Sequence, residues 1–231
     1  MKIAVKCHEI RKSFGSQLAK VEALRGISFE SYVGELLMIA GPSGCGKTTL
    51  LSIISSILTQ DSGTCLIFDK DVNRLQNDTK VHYRGKHIGF IFQSFNLIPM
   101  LTAQENAAIP LILNGENKEV ALDRAKELLI RVGLEKRLDA FPRHMSGGEQ
   151  QRVAICRGCI HNPQVIVCDE PTSALDHATG IKVMELFKEM ALSNESSLII
   201  VTHDARIFEF ADRILHIEDG RIIDHKVNGK P

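Results

Sequence analysis

Residues 41–48 read Gly41-Pro42-Ser43-Gly44-Cys45-Gly46-Lys47-Thr48 and fill every fixed position of the phosphate-loop pattern G-x-x-x-x-G-K-[ST]. The glycines let the backbone curl so that successive amides converge on one anion. The helix that should follow adds its positive N-terminal end. Lys47 supplies a point charge for β and γ phosphates, and Thr48 offers a hydroxyl ligand to Mg²⁺. A second group, Val165-Ile166-Val167-Cys168-Asp169-Glu170, places two carboxylates at the end of an apolar run. Asp169 there can hold magnesium through its waters, and Glu170 can polarise an attacking water. A third, Ser146-Gly147-Gly148-Glu149, reads locally as a capping box. Its two glycines each cost ~1 kcal/mol of helix propensity, a poor choice unless an anion must approach the backbone. The phosphate loop alone specifies a nucleoside triphosphate and not a reaction.

Such groups need strands and helices behind them, and the apolar patterning supplies both. Residues 2–10 and 26–32 alternate in part like strands, and 35–40 is a continuous apolar run before the phosphate loop. A helix is predicted over 47–58, then a turn at 61–63 and a strand over 64–68. Thr102 and Glu105 form a capping box, and 118–132 places Ala121, Ala125, Leu128, Leu129 and Val132 on one face before Gly133. Residues 95–161 therefore read as mostly helical. The runs 165–168 and 198–201 suit parallel strands buried on both faces, joined by a helix over 177–192. Asp219-Gly220 marks a closing hairpin between 213–217 and 221–224. The pattern describes α/β units with a strand-rich N-terminal flank and a helical insertion.

The chain has 231 residues, with 28 basic and 28 acidic side chains giving a formal net charge of zero. That balance argues against a generic nucleic-acid binder, whose affinity comes from clustered Lys and Arg. No run approaches the ~20 apolar residues of a membrane span, and charges interrupt what would be the core of a secretory signal at residues 1–6. The six cysteines show no disulfide-framework spacing, which fits a reducing compartment. Cys156 and Cys159 form the one CxxC pair; without a second pair they read as two small helix residues rather than metal ligands.

In their order along the chain, the phosphate loop, Gly89-Phe90-Ile91-Phe92-Gln93, Met145-Ser146-Gly147-Gly148-Glu149, Asp169-Glu170, Ser173-Ala174-Leu175-Asp176 and His203 resemble the ATP-binding-cassette ATPases. The resemblance spans essentially the whole chain. Met145 and Glu149 depart from the commoner Leu and Gln, and Glu149 brings a negative charge near the phosphates. The resemblance implies an α/β P-loop NTPase: a RecA-like core with a parallel sheet, an N-terminal antiparallel β-subdomain and a helical signature subdomain. One domain would cover 1–231, with 95–160 as the helical part and 1–94 and 161–231 as β-subdomain plus core.

Residue by residue, it implies ATP binding by Phe14, Gly41, Pro42, Ser43, Gly44, Cys45, Gly46, Lys47, Thr48, Thr49 and Gln93. Phe14 would stack on adenine where Tyr is more usual, although it also fits core packing. Catalysis would fall to Glu170, His203 and Lys47, with Mg²⁺ near Thr48, Gln93 and Asp169. Ser146, Gly147, Gly148 and Glu149 would act on the nucleotide of a second copy. Ser173, Ala174, Leu175 and Asp176, the D-loop, would lie at that dimer interface.

The implied assembly is a homodimer that closes on ATP, peripheral on the cytoplasmic face of the inner membrane. It would be attached to a separate permease with an extracytoplasmic domain, together with a periplasmic adaptor. Within the family, the 89–93, 106–113 and 145–152 segments most resemble the ATPases of macrolide exporters, lipoprotein-release complexes, DevA-type exporters and cell division. Export or membrane extraction is therefore expected, with regulation of a non-transporting membrane complex as the alternative. A switch GTPase or small-molecule kinase shares the phosphate loop, but the chain has no Asn-Lys-x-Asp guanine-reading motif. Residues 95–101 fit either a permease-docking surface or core of the helical subdomain.

Overall fold

A computed structural model describes residues 1–16, 19–173, 175–192 and 196–228, with the backbone alone for 190–192. The chain begins with β1 (Ile3–Phe14) and β2 (Val21–Tyr32), then β3 (Leu36–Ala40), the phosphate loop and α1 (Lys47–Ile54). Next come β4 (Ser62–Ile67), β5 (Lys70–Asp71), α2 (Asn77–His87) and β6 (Ile88–Ile91). Three helices follow, α3 (Ala103–Leu113), α4 (Lys118–Arg131) and α5 (Gly147–Cys159). The remainder is β7 (Val165–Asp169), α6 (His177–Leu192), β8 (Ser197–Thr202), β9 (Arg213–Glu218) and β10 (Arg221–Val227).

Two sheets form. The N-terminal one is antiparallel, in the order β2-β1-β4-β5. The larger, β10-β9-β3-β8-β7-β6, is parallel except for its antiparallel edge strand β10. Every residue of β3, β7 and β8 is buried, as expected for strands covered on both faces. Their side chains alternate between two cores. Leu36, Met38, Ile166, Cys168, Leu198 and Ile200 pack on the helical side with Val183, Met184 and Phe187. Leu37, Ile39, Val165, Val167, Ile199 and Val201 join α1 and the antiparallel sheet on the other. The result is the α/β architecture with RecA-like core, antiparallel β-subdomain and helical part.

Local departures from the sequence reading have physical causes. β1 continues past residue 10 because a bulge at Glu9 (φ 49°) resets its register against β2 and β4, breaking the alternation. α1 ends at Ile54, short of residue 58, where Ser56 takes a φ of 58° and the amides of Ile57 and Leu58 both return to the Ser52 carbonyl. α2 is absent from the sequence reading. None of its residues is buried, so it carries no apolar period to detect. Cys156 and Cys159 are buried in the helical-side core, and burial pushes the Cys159 thiol up to about 12.

Candidate nucleotide site

β3 delivers the chain into the phosphate loop, whose path is set by close approaches. A Cβ on Gly41 would lie 2.1 Å from the Ile217 carbonyl oxygen. Gly46, at φ 104°, would place one 2.4 Å from that of Ala23, so only glycine fits at either position. Cys45 is buried and its carbonyl accepts the Gly220 amide at 3.1 Å, while Pro42, Ser43 and Gly44 are exposed. Lys47 is 7% exposed and its Nζ donates to the carbonyls of Gly41 (2.8 Å) and Pro42 (2.9 Å). A cleft of about 210 Å³ lies beside the loop, lined by Gly44, Gly46, Lys47, Thr48, Thr49 and, from the end of β1, Phe14. Phe14 is 46% exposed, so its ring faces the cleft and not the core.

Across the loop stand the carboxylates. Thr48 Oγ1 donates to Asp169 Oδ2 at 3.0 Å. Burial at the end of β7 pushes the Asp169 carboxyl up; the Thr48 hydroxyl and Lys47 counter this, and the charge of Glu170 adds to it. Glu170 adopts φ 50°, a strained value outside glycine, and its amide still extends the β7–β8 pairing by donating to the Val201 carbonyl. Its carboxylate accepts Thr202 Oγ1 (3.1 Å) and the His203 amide (3.1 Å), and lies 2.7 Å from His203 Nδ1. Gln93 is exposed in the turn just after β6, whose last residue, Ile91, sits beside Cys168 of β7; Gln93 therefore follows the same C-terminal end of the parallel sheet as Asp169 and Glu170.

The stretch 95–101 divides. Arg157 of α5 donates to the carbonyls of Phe95 and Asn96, both at 2.6 Å, and the buried Asn106 bonds both backbone groups of Ile98. Phe95 and Leu97 thus pack on the core, while Ile98 and Met100 (82% exposed) face outward. Arg157 also lines a groove of about 310 Å³, together with Ile57, Arg84, Phe92 and Leu113.

Ser146 caps α5 in a complete capping box with Glu149, and Gly147 and Gly148 open the helix. Arg137 adds a bond of 2.8 Å to Glu149 Oε1. Partial burial opposes the Glu149 charge, but the Ser146 amide and Arg137 outweigh it and hold the carboxyl below its usual range. α5 packs on α3, α4, α6 and β6, so this segment is held by elements other than those around the phosphate loop. Ser173 bonds the Glu170 carbonyl, the Leu175 amide that of Thr172, and Asp176 caps α6 through Thr179; Ala174 lies outside the described residues.

Residues 24–173 match the family model for the ABC transporter. A Staphylococcus aureus (strain MRSA252) protein named hemin import ATP-binding protein HrtA is 42% identical over 222 residues, covering 96% of this chain and 100% of that protein. The chain belongs to the ABC transporter ATP-binding family. This ABC-type ATPase is also 40% identical to the macrolide export ATP-binding/permease protein MacB of Campylobacter fetus, over 95% of its length but 34% of that protein's. Among solved structures it is similar to a dimeric, post-hydrolysis form of the ATP-binding cassette MJ0796 bound to ADP and Pi. That similarity has 36% identity and a TM-score of 0.91, and it covers 98% of this chain and 100% of that one.

Hard oxygen donors set side by side, Thr48 Oγ1 and Asp169 Oδ2, fit a magnesium ion, and the burial of Asp169 favours a cation beside it. Four residues around the site of this ABC ATPase escaped the sequence reading: Arg137, Thr172, Thr202 and Arg206. Only Thr202 carried a signal, as a polar residue ending an apolar run. Among the described residues no helix is long and apolar enough to cross a membrane.

Proposed function

We propose that this ATPase subunit binds ATP through residues 41–49 and Phe14, with Lys47 on the β and γ phosphates and Phe14 against the base. Thr48, Asp169 and Gln93 would hold magnesium, which neutralises phosphate charge when bound. Glu170 takes a proton from the attacking water, and His203, more than half exposed, turns from Glu170 to the γ-phosphate. Residues 146–149 and the D-loop act on the second copy's nucleotide in a homodimer, so each chain holds half of two sites. The observation that supports this most is the arrangement of Glu170, its carboxylate held at the strand end next to the Thr48–Asp169 pair.

The domain reading is kept: 95–160 as the helical part of a single domain. The motor is delivered to a separate permease with an extracytoplasmic domain, together with a periplasmic adaptor, on the cytoplasmic face of the membrane. Docking falls on Ile98 and Met100, which are apolar and outward-facing, Ile98 held on both backbone groups by Asn106. Export or extraction is the preferred direction, in line with MacB and the exporter-like segments. The name of HrtA favours a second reading, import. The subunit co-purified with its permease and reconstituted in vesicles with the ATPase outside decides this. ATP-driven accumulation in the lumen supports export, ATP-driven loss from the lumen supports import, ATP-driven release from the vesicle membrane supports extraction, and turnover with none of these supports the regulatory alternative.

A further inference from the structure

Thr202 has no part in the assignments above, although it touches Glu170. It ends β8 and is fully buried. Its hydroxyl oxygen lies 3.1 Å from Glu170 Oε2 and accepts the Asp204 amide at 2.9 Å. A hydroxyl carries one proton. With a peptide N–H on one side and a carboxylate on the other, that proton belongs to Glu170. The turn that supplies the amide is itself tied back. Asp204 accepts Thr172 Oγ1 at 2.9 Å and the Arg206 guanidinium at 2.7 Å, so residues 202–206 and 170–172 form one hydrogen-bonded unit. The other oxygen of Glu170 accepts the His203 amide at 3.1 Å and faces the His203 ring, whose side chain is 56% exposed and able to move away. Thr202 has no such freedom.

We infer that Thr202 is a positioning residue for ATP hydrolysis, its buried hydroxyl acting with the His203 amide to fix the Glu170 carboxylate, Thr202 on Oε2, so that Oε1 keeps its aim when the His203 ring leaves. The inference rests on the reading of Glu170 as general base. It is tested on the full chain by steady-state ATPase kinetics and equilibrium ATP binding for T202V, T202S, E170Q and the double variant E170Q/T202V. Displacing the base should lower kcat of T202V roughly tenfold to a hundredfold, with KM and ATP affinity unchanged. T202S should recover most of the rate, and E170Q/T202V should bind ATP as E170Q does. A wild-type kcat in T202V, a loss of ATP affinity parallel to the loss of rate, or a T202S as slow as T202V would overturn it. Wild-type turnover in E170Q would instead remove the base assignment underneath it, so the two failures are told apart.

Discussion

Lys47 is bonded to two carbonyl oxygens of its own loop, so a phosphate competes with neutral acceptors for the ammonium. Charged oxygens win that competition, because the attraction between two opposite full charges adds to a hydrogen bond that a neutral carbonyl meets with only a dipole. Lys47→Ala should therefore weaken ATP binding by roughly ten- to a hundredfold, one or two ion-assisted bonds, and an unchanged dissociation constant by calorimetry would remove the assigned role. Asp204 allows a pH prediction. The Arg206 fork is the main cause that holds its carboxyl at about 2, below the ordinary 3.8. A depressed folded value contributes stability in full above the ordinary value and loses it as pH falls through the folded one. The Tm gap between wild type and Asp204→Asn should thus be constant near neutrality and shrink between about pH 4 and 2. A gap independent of pH would contradict the pairing. Lys47, Thr48, Asp169 and Glu170 were legible in the sequence because their chemistry depends on residue type at short spacing. Thr202 and Thr172 were not: a hydroxyl at a strand end looks alike everywhere until the pairing of Asp169 with Val201 sets β8 beside β7.

At the scale of elements, the capping boxes of α3 and α5 were readable from four residues each, and both are complete. In α5 the acid does more than cap. Glu149 links the helix start to Arg137, which lies beyond α4, so the charge it brings is already compensated. Glu149→Ala should lower stability by about 1 kcal/mol, the usual value of a lost cap, while Glu149→Gln keeps an acceptor and should cost less. Denaturation midpoints check the order, and equal losses would show that the cap is not what Glu149 supplies. α2 shows the opposite limit of legibility. It lies on the surface and has no buried face, so it is anchored by bonds such as Arg84 to the Ser56 carbonyl, which no periodicity encodes. The division of 95–101 was equally hidden, since the grips of Arg157 and Asn106 come from distant positions.

For the whole molecule, the central sheet stands between the two cores, and the proposed half-sites lie on different element groups: β3, α1 and β7 for one, α5 with α3, α4 and α6 for the other. On the proposed reading, one chain does not complete its own site. Glu170→Gln should keep ATP binding, lower turnover by about 10²- to 10⁴-fold as for loss of a general base, and accumulate as an ATP-bound dimer. Without nucleotide the chains should sediment as monomers. Monomers in saturating ATP with Glu170→Gln would argue against the two-copy site. The fold class of the core follows from buried runs and turn signals, whereas the strand order, and the pairing of the antiparallel sheet through the Glu9 bulge, depend on contacts between residues distant in the chain.

The closing hairpin bears on how the protein is made. Its turn donates the Gly220 amide to Cys45 and accepts the Arg25 amide, while the Ile217 carbonyl limits the space at Gly41. Residues 41–48 are translated well before Ile217 and Gly220, whose backbone braces them. A nascent chain shorter than these residues carries every motif for the nucleotide and lacks the wall behind it. The braced form of the loop therefore waits on a segment far downstream of its own motif.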